Sequence, residues 1–341
     1  MIRKIAFVLF FIIIYACGGS EKEENKTKIQ ILSEKIVENP GNIELLYERV
    51  EYNRLNNNHE SVVYDLKEII RLDSLDINSH NLIAEMYFEL SKLSNADPNY
   101  PSLVQDHLQR SLMINNNQEF AHALMGELLL AYGKYKEAIN SFNTSLKLRY
   151  NQEKTHMLMG YSFKQLKQNE NAINCFRNAV NINPDYKEAH IQLGQIFHVL
   201  GDRSAVNYYN NALRLSPKDE MVLYNKALFF QSKQEWNEAL QVYSELHIIN
   251  PFHSNAHYNL GFIHMELGLY DVAANNFSDA IYSNSEFYEA YYSRGNCFET
   301  LGNVLQAQSD YERAIAINPE YTFAIEALEN LMMLNKKYNN R

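Results

Sequence analysis

A small residue returns along this chain at a nearly fixed interval. Gly126, Gly160 and Gly194 are 34 residues apart, Gly261 lies 67 beyond Gly194, and Gly295 follows 34 later. A fixed period of this length marks a repeat array, in which one supersecondary unit is copied and each copy buries its apolar face on its neighbours. That constraint outranks length. A chain of 341 residues would otherwise suggest about two domains, whereas an array is one quasi-linear unit however long it runs.

With the small residue set at position 8, repeats open at Ile43, Ile77, Glu119, Glu153, Lys187, Glu220, Ser254 and Tyr288. Position 8 reads Val50, Ala84, Gly126, Gly160, Gly194, Ala227, Gly261 and Gly295. Position 20 reads Val62, Val104, Ala138, Ala172, Ala205, Ala239, Ala273 and Ala307. Position 24 reads Leu66, Leu108, Phe142, Phe176, Tyr209, Tyr243, Phe277 and Tyr311. Pro184, Pro217, Pro251 and Pro319 fill position 32, where proline stops a helix. Gly133, Gly201, Gly268 and Gly302 fill position 15, where glycine accepts the left-handed turn that ends one. Glycine inside a helix costs up to ~1 kcal/mol, so its recurrence at position 8 needs a packing reason. The expectation is a close crossing of two helix backbones at positions 8 and 20, with the position-24 ring filling the space beside it.

This set of positions resembles the tetratricopeptide repeat, the TPR, from about residue 29 to the end. The resemblance implies an all-α fold: a right-handed superhelical solenoid of about eight helix-turn-helix repeats over 43–321. An N-terminal half repeat over 29–42 precedes them, its Ile29, Leu32, Ile36 and Val37 on one helical face and Pro40 at its end. A capping helix over 322–338 closes the array, with Phe323, Ala324, Ala327, Leu328, Leu331 and Leu334 as its buried stripe. Repeats one and two depart from the pattern at Val50 and Val62, so their helices are expected to pack less closely. The second repeat carries eight extra residues, and Leu90–Pro101 lengthens its internal turn. The fifth is one residue short between Gly201 and Ala205.

The start of the chain reads differently. Arg3 and Lys4 are followed by an apolar run to Ala16 that is too short for a comfortable ~20-residue span, as in a signal peptide over 1–16. Ile14-Tyr15-Ala16-Cys17 resembles the lipobox of bacterial lipoproteins, which implies cleavage after Ala16 and lipidation of Cys17. Residues 17–28 contain Gly18–Lys28, with no apolar side chain, and read as a polar tether. The implied location is the bacterial cell envelope, as an outer-membrane lipoprotein on its periplasmic or surface face. An ordinary secreted protein and a retained signal anchor are the alternatives.

Little in the chain suggests catalysis or a cofactor. There is no Gly-rich phosphate loop, no G-x-S-x-G and no H-E-x-x-H, so no enzyme, metal or cofactor is expected. Cys175 and Cys297 stand more than three repeats apart, too far for a disulfide. Five repeats have histidine at position 4: His80, His122, His156, His190 and His257. Equivalent residues of stacked repeats sit roughly 10 Å apart, beyond the reach of one shared metal, so the ladder reads as space-filling. Lys and Arg total 31 against 41 Asp and Glu, a net charge of −10, and an acidic surface opposes nucleic acid.

The resemblance also implies where a partner binds: on the concave face made by the first helix of each repeat, through positions 2, 5, 9, 12 and 13. Here those positions give Tyr161 and Lys164, Tyr224 and Leu228, Tyr258, Phe262 and Met265, and Tyr292 and Asn296. Aromatic side chains dominate binding energetics and methionine adapts to varied surfaces. The reading is a membrane-anchored protein-binding scaffold whose groove takes a peptide or helix by apolar contacts. A glycan-binding accessory of polysaccharide or secretion machinery is the alternative, and self-assembly through an uncapped end a third.

Overall fold

The computed structural model describes residues 27–339. The leader over 1–16, Cys17 and the tether to residue 26 lie outside the described residues, as do the side chains from 334 onward. Among the described residues there are eighteen α-helices and no strand. The chain divides into two compact units between Leu148 and Arg149.

The first unit holds α1 (Lys28–Glu38), α2 (Ile43–Leu55), α3 (His59–Leu72), α4 (Ile77–Leu90), α5 (Tyr100–Ile114), α6 (Glu119–Ala131) and α7 (Tyr135–Leu148). The second holds α8 (Glu153–Gln165), α9 (Asn169–Ile182), α10 (Lys187–Val199), α11 (Ser204–Leu215), α12 (Glu220–Ser232) and α13 (Trp236–Ile249). It continues with α14 (Ser254–Glu266), α15 (Tyr270–Ser283), α16 (Tyr288–Thr300), α17 (Val304–Ile317) and α18 (Thr322–Asn339). The even-numbered helices from α2 to α16 are the first, or A, helices of the repeats; the odd-numbered helices from α3 to α17 are their B helices. Within each unit every A helix packs on its own B helix, and each B helix on the next A helix.

The turns explain the boundaries. At position 15 the backbone is left-handed in seven repeats. Glycine serves at Gly133, Gly201, Gly268 and Gly302 (φ 67° to 79°), whereas Asn57, Lys167 and Gln234 adopt the same conformation at φ 55° to 58°. One residue later a backbone N–H reaches back to the helix, as from Asp202 to Phe197 O and from Leu269 to His264 O, closing the Schellman turn. The second repeat has the insertion instead, with α4 and α5 separated by residues 91–99. The prolonged turn is shorter than Leu90–Pro101, because Tyr100 and Pro101 already belong to α5, whose first turn accepts proline. The missing residue of the fifth repeat is absorbed just before α11.

The turn from one repeat to the next is built by side chains the period alone did not flag. Asp73, Asn115, Asn183, Asn250, Asn284 and Asn318 stand at position 31, and each accepts a backbone N–H two residues on, an Asx turn. The histidine ladder completes it. His80, His122, His156, His190 and His257 point Nε2 at the carbonyls of Ser74, Asn116, Tyr150, Pro184 and Pro251, at 2.8–3.3 Å. Every one of those carbonyls is at position 32 of the preceding repeat. The ladder is therefore more than space-filling, because each imidazole donates Nε2–H and pins the turn entering its own helix.

The packing at position 8 also differs from expectation. A Cβ on Gly126, Gly160, Gly194, Gly261 or Gly295 would lie 2.5–2.7 Å from the ring of Phe142, Phe176, Tyr209, Phe277 or Tyr311. What occupies the glycine's missing volume is thus the position-24 ring itself, rather than the opposing backbone. In the first two repeats a larger residue stands there without a ring: Val50 pairs with Leu66 and Ala84 with Leu108, all fully buried. Ala227 with Tyr243 is the intermediate case.

Two partly buried ion pairs tie the outer repeats. Arg49 grips Asp65 with two hydrogen bonds and also reaches Ser33; Arg294 does the same with Asp310 and Ser278. In the half repeat, Leu32 and Ile36 are buried but Val37 is 80% exposed, so the stripe is narrower than its spacing implied. In the capping helix Ala324 and Leu331 are buried, and Leu331 packs in one cluster with Tyr311 and Ala307. Phe323 is 60% exposed, although its ring still approaches those of Tyr292 and Tyr321.

Candidate functional site

The residues expected to bind a partner all lie on A helices of the second unit, but they have different surroundings. Position 5 carries tyrosine in four repeats, and every one spans a joint. Tyr258 lies between the position-24 ring of Phe277 (5.5 Å between centroids) and Phe287, which precedes the next A helix (5.0 Å); its hydroxyl accepts from Ser293. Tyr224 lies between Tyr243 and His253 and accepts from Asn259, which also donates to Tyr243. Tyr292 contacts Tyr311 and Tyr321. Tyr47, in the first unit, donates to Asp76, the N-cap of α4. Burial and the Asp76 carboxylate push the Tyr47 phenol up to about 12. These rings are half-buried fittings between repeats. Sequence reasoning missed this because position 5 faces both the groove and the joint.

Positions 9 and 12 are different. Tyr161 sits edge-on to Phe176 at 5.7 Å. Asn296 Oδ1 and Glu299 Oε2 lie 2.7 and 2.6 Å from the Tyr311 hydroxyl, which has one proton to give. Met265 packs at the edge of the cluster around Phe277. Leu228 and Phe262 hold the same repeat position on successive A helices and are partly exposed. Leu228 is not among the side chains packed on the core of its repeat, and Phe262 has no ring contact among the described residues. Of the expected apolar contacts, these two are the least committed to the fold.

Lys164 is a half-buried cation on this face. Its ammonium donates to Gln192 Oε1 (2.6 Å) and Gln195 Oε1 (3.3 Å) on the next A helix. No carboxylate pairs with it among the described residues, and burial holds its pKa below the usual lysine value. One turn beyond Gln195 stands His198, whose imidazole is also pushed down by burial and by Lys233.

The other titratable groups read as structural. Burial pushes the thiols of Cys175 and Cys297 up to about 12 and about 11, so neither is a ready nucleophile. No group of three metal-ligating side chains gathers among the described residues.

Family models agree with this geometry at three places. Residues 160–201 match a TPR repeat model, and residues 254–287 and 288–321 each match a tetratricopeptide repeat model. The fold is that of tetratricopeptide repeats. Solved structures with similar chains include the MamA protein, at 19% identity over 50% of this chain and 93% of that one, TM-score 0.46. YrrB, "a TPR protein with an unusual peptide-binding site", aligns at 17% identity over 55% of this chain and 97% of its own, TM-score 0.47. Cut9–Hcn1 of the APC/C aligns at 16% over 89% and 58%, TM-score 0.45. Comparison with curated proteins finds no match. The first match runs across repeats four and five and the other two cover repeats seven and eight; the remaining repeats are recognised by their helix pairs and turns.

Proposed function

We propose that this chain is an envelope-anchored scaffold that captures a segment of another protein on the A-helix face of its second unit. TPR repeats are generally binding scaffolds rather than enzymes, which supports the coarse reading. The observation that carries the finer one is the pair Leu228 and Phe262: apolar, partly exposed, at one repeat position on two A helices, beside the adaptable Met265. Lys164, with amide partners alone, adds one positive charge to a face that also offers Glu299 and Asn296. The partner segment is apolar with mixed polarity, held by side-chain contacts. Anchoring rests on the leader and Cys17.

The test separates binding from folding. Leu228→Ser with Phe262→Ser is expected to abolish photo-crosslinking from position 265 in cells while leaving the melting temperature within a few degrees. Tyr258→Ala, by contrast, is expected to lower that temperature, since its ring joins two repeats. If the double variant crosslinks the same proteins as the parent chain, the A-helix face is not the capture surface.

A further inference from the structure

A second site lies away from the A-helix face, where the second unit begins. A cavity of about 420 Å³ is lined by Tyr150, Asn151, Asn178, Asn181 and Ile182. It is an open surface depression: Tyr150, Asn151 and Asn181 are exposed, and Asn178 and Ile182 are partly buried. Asn178, Asn181 and Ile182 share one face in the last turns of α9, at helical i, i+3 and i+4 spacing. Tyr150 and Asn151 come from the turn that enters α8. Tyr150 is held there twice: its carbonyl accepts His156 Nε2–H at 3.2 Å, and its ring sits edge-on to His156 at 4.8 Å.

The chemistry of the lining is specific. No charged side chain contributes. Three carboxamides line the same depression, where an incoming group can replace their water. Each offers two N–H donors and a carbonyl acceptor, which is the complement of a hydroxyl pair on adjacent carbons. The Tyr150 ring and Ile182 supply apolar wall for the C–H face of a sugar ring. An ion would find no countercharge. An extended peptide would need partners spaced along a groove at its ~3.3 Å rise per residue, whereas these five residues line one local depression. We propose that this cavity binds a neutral sugar, a hexose or N-acetylhexosamine unit of a glycan. The site is independent of the protein-capture face, so the two readings stand or fall separately.

Saturation-transfer NMR on the full chain tests it, with glucose, galactose, N-acetylglucosamine and their β-linked disaccharides as probes. Transfer to ring protons of at least one probe is expected. Asn178→Ala with Asn181→Ala should weaken that probe roughly fivefold or more, the worth of about one lost hydrogen bond. Tyr150→Leu should weaken it comparably through loss of the ring. Because both asparagines lie on the helix surface, far-UV circular dichroism of their variant should match the parent. No transfer to any probe, transfer undiminished in both variants, or preferential transfer to a neutral tripeptide would each overturn the proposal.

Discussion

At the scale of single residues, position 15 shows how one backbone conformation is met with different side chains. Gly268 and Lys167 occupy equivalent turns with φ of 73° and 58°, and the left-handed region costs a non-glycine residue ~1–2 kcal/mol. A Cβ on Gly268 would meet nothing within 4 Å, so Gly268→Ala isolates the backbone cost and should destabilise by about 1 kcal/mol. Lys167→Gly should stabilise by about 0.5–1 kcal/mol, the conformational relief less the added chain entropy. Urea midpoints of the two variants check both signs. The histidines make a second prediction. Burial lowers the pKa of His80, His156 and His198, and burial with neighbouring His80, Arg110 and Lys67 takes His107 to about 4. His80 donates Nε2–H to Ser74, so its Nδ1 must accept from His107 Nδ1–H at 3.0 Å. The unfolded imidazoles bind protons near pH 6.5 and the folded ones resist. Stability is therefore complete above that pH and falls as the pH drops from about 6.5 toward 4. Equilibrium unfolding across this window should show the loss, and His107→Gln should flatten it.

At the scale of the helix pair, the decisive contact is glycine against ring. Gly160→Ala would place a methyl group 2.6 Å from Phe176 Cε1, and overpacking of this kind costs about 1–3 kcal/mol. Phe176→Leu should recover much of that loss in the double variant, because Ala84 with Leu108 is already a buried pair in the second repeat. A thermodynamic cycle over the two substitutions measures the coupling; additive effects would mean that the ring yields freely. The same logic covers the first repeats. Val50 and Val62 are both fully buried, and leucine at position 24 leaves the room that valine needs.

At the scale of the molecule, the −10 net charge and the apolar, partly exposed A-helix positions support the proposed capture face. No helix among the described residues is long and apolar enough to cross a membrane. In the proposed reading, anchoring rests on the leader and Cys17. Cys17→Ser is expected to move the protein from the membrane pellet to the soluble fraction of fractionated cells, since acyl chains supply the membrane affinity. Metabolic labelling with an alkyne fatty acid should mark the parent chain and not the variant.

Much of this protein was legible in its residues. A 34-residue period is a statement about packing, because each helix pair buries its apolar face only on a copy of itself. Glycine at position 15 and proline at position 32 announce helix ends through backbone geometry alone. The side-chain roles were less legible. Tyr258 and Phe262 are both aromatic groove positions in sequence, yet one is wedged between Phe277 and Phe287 while the other has no ring partner. Position 4 histidine looked like filler until the carbonyl six residues earlier was placed against its Nε2. The surface depression at the start of the second unit joins Tyr150 and Asn151 to Asn178 and Asn181, residues with no shared pattern. Periodicity determines which residues are buried, since burial follows from local geometry repeated. Which exposed groups converge depends on turns and neighbouring helices, and only the tertiary structure decided that.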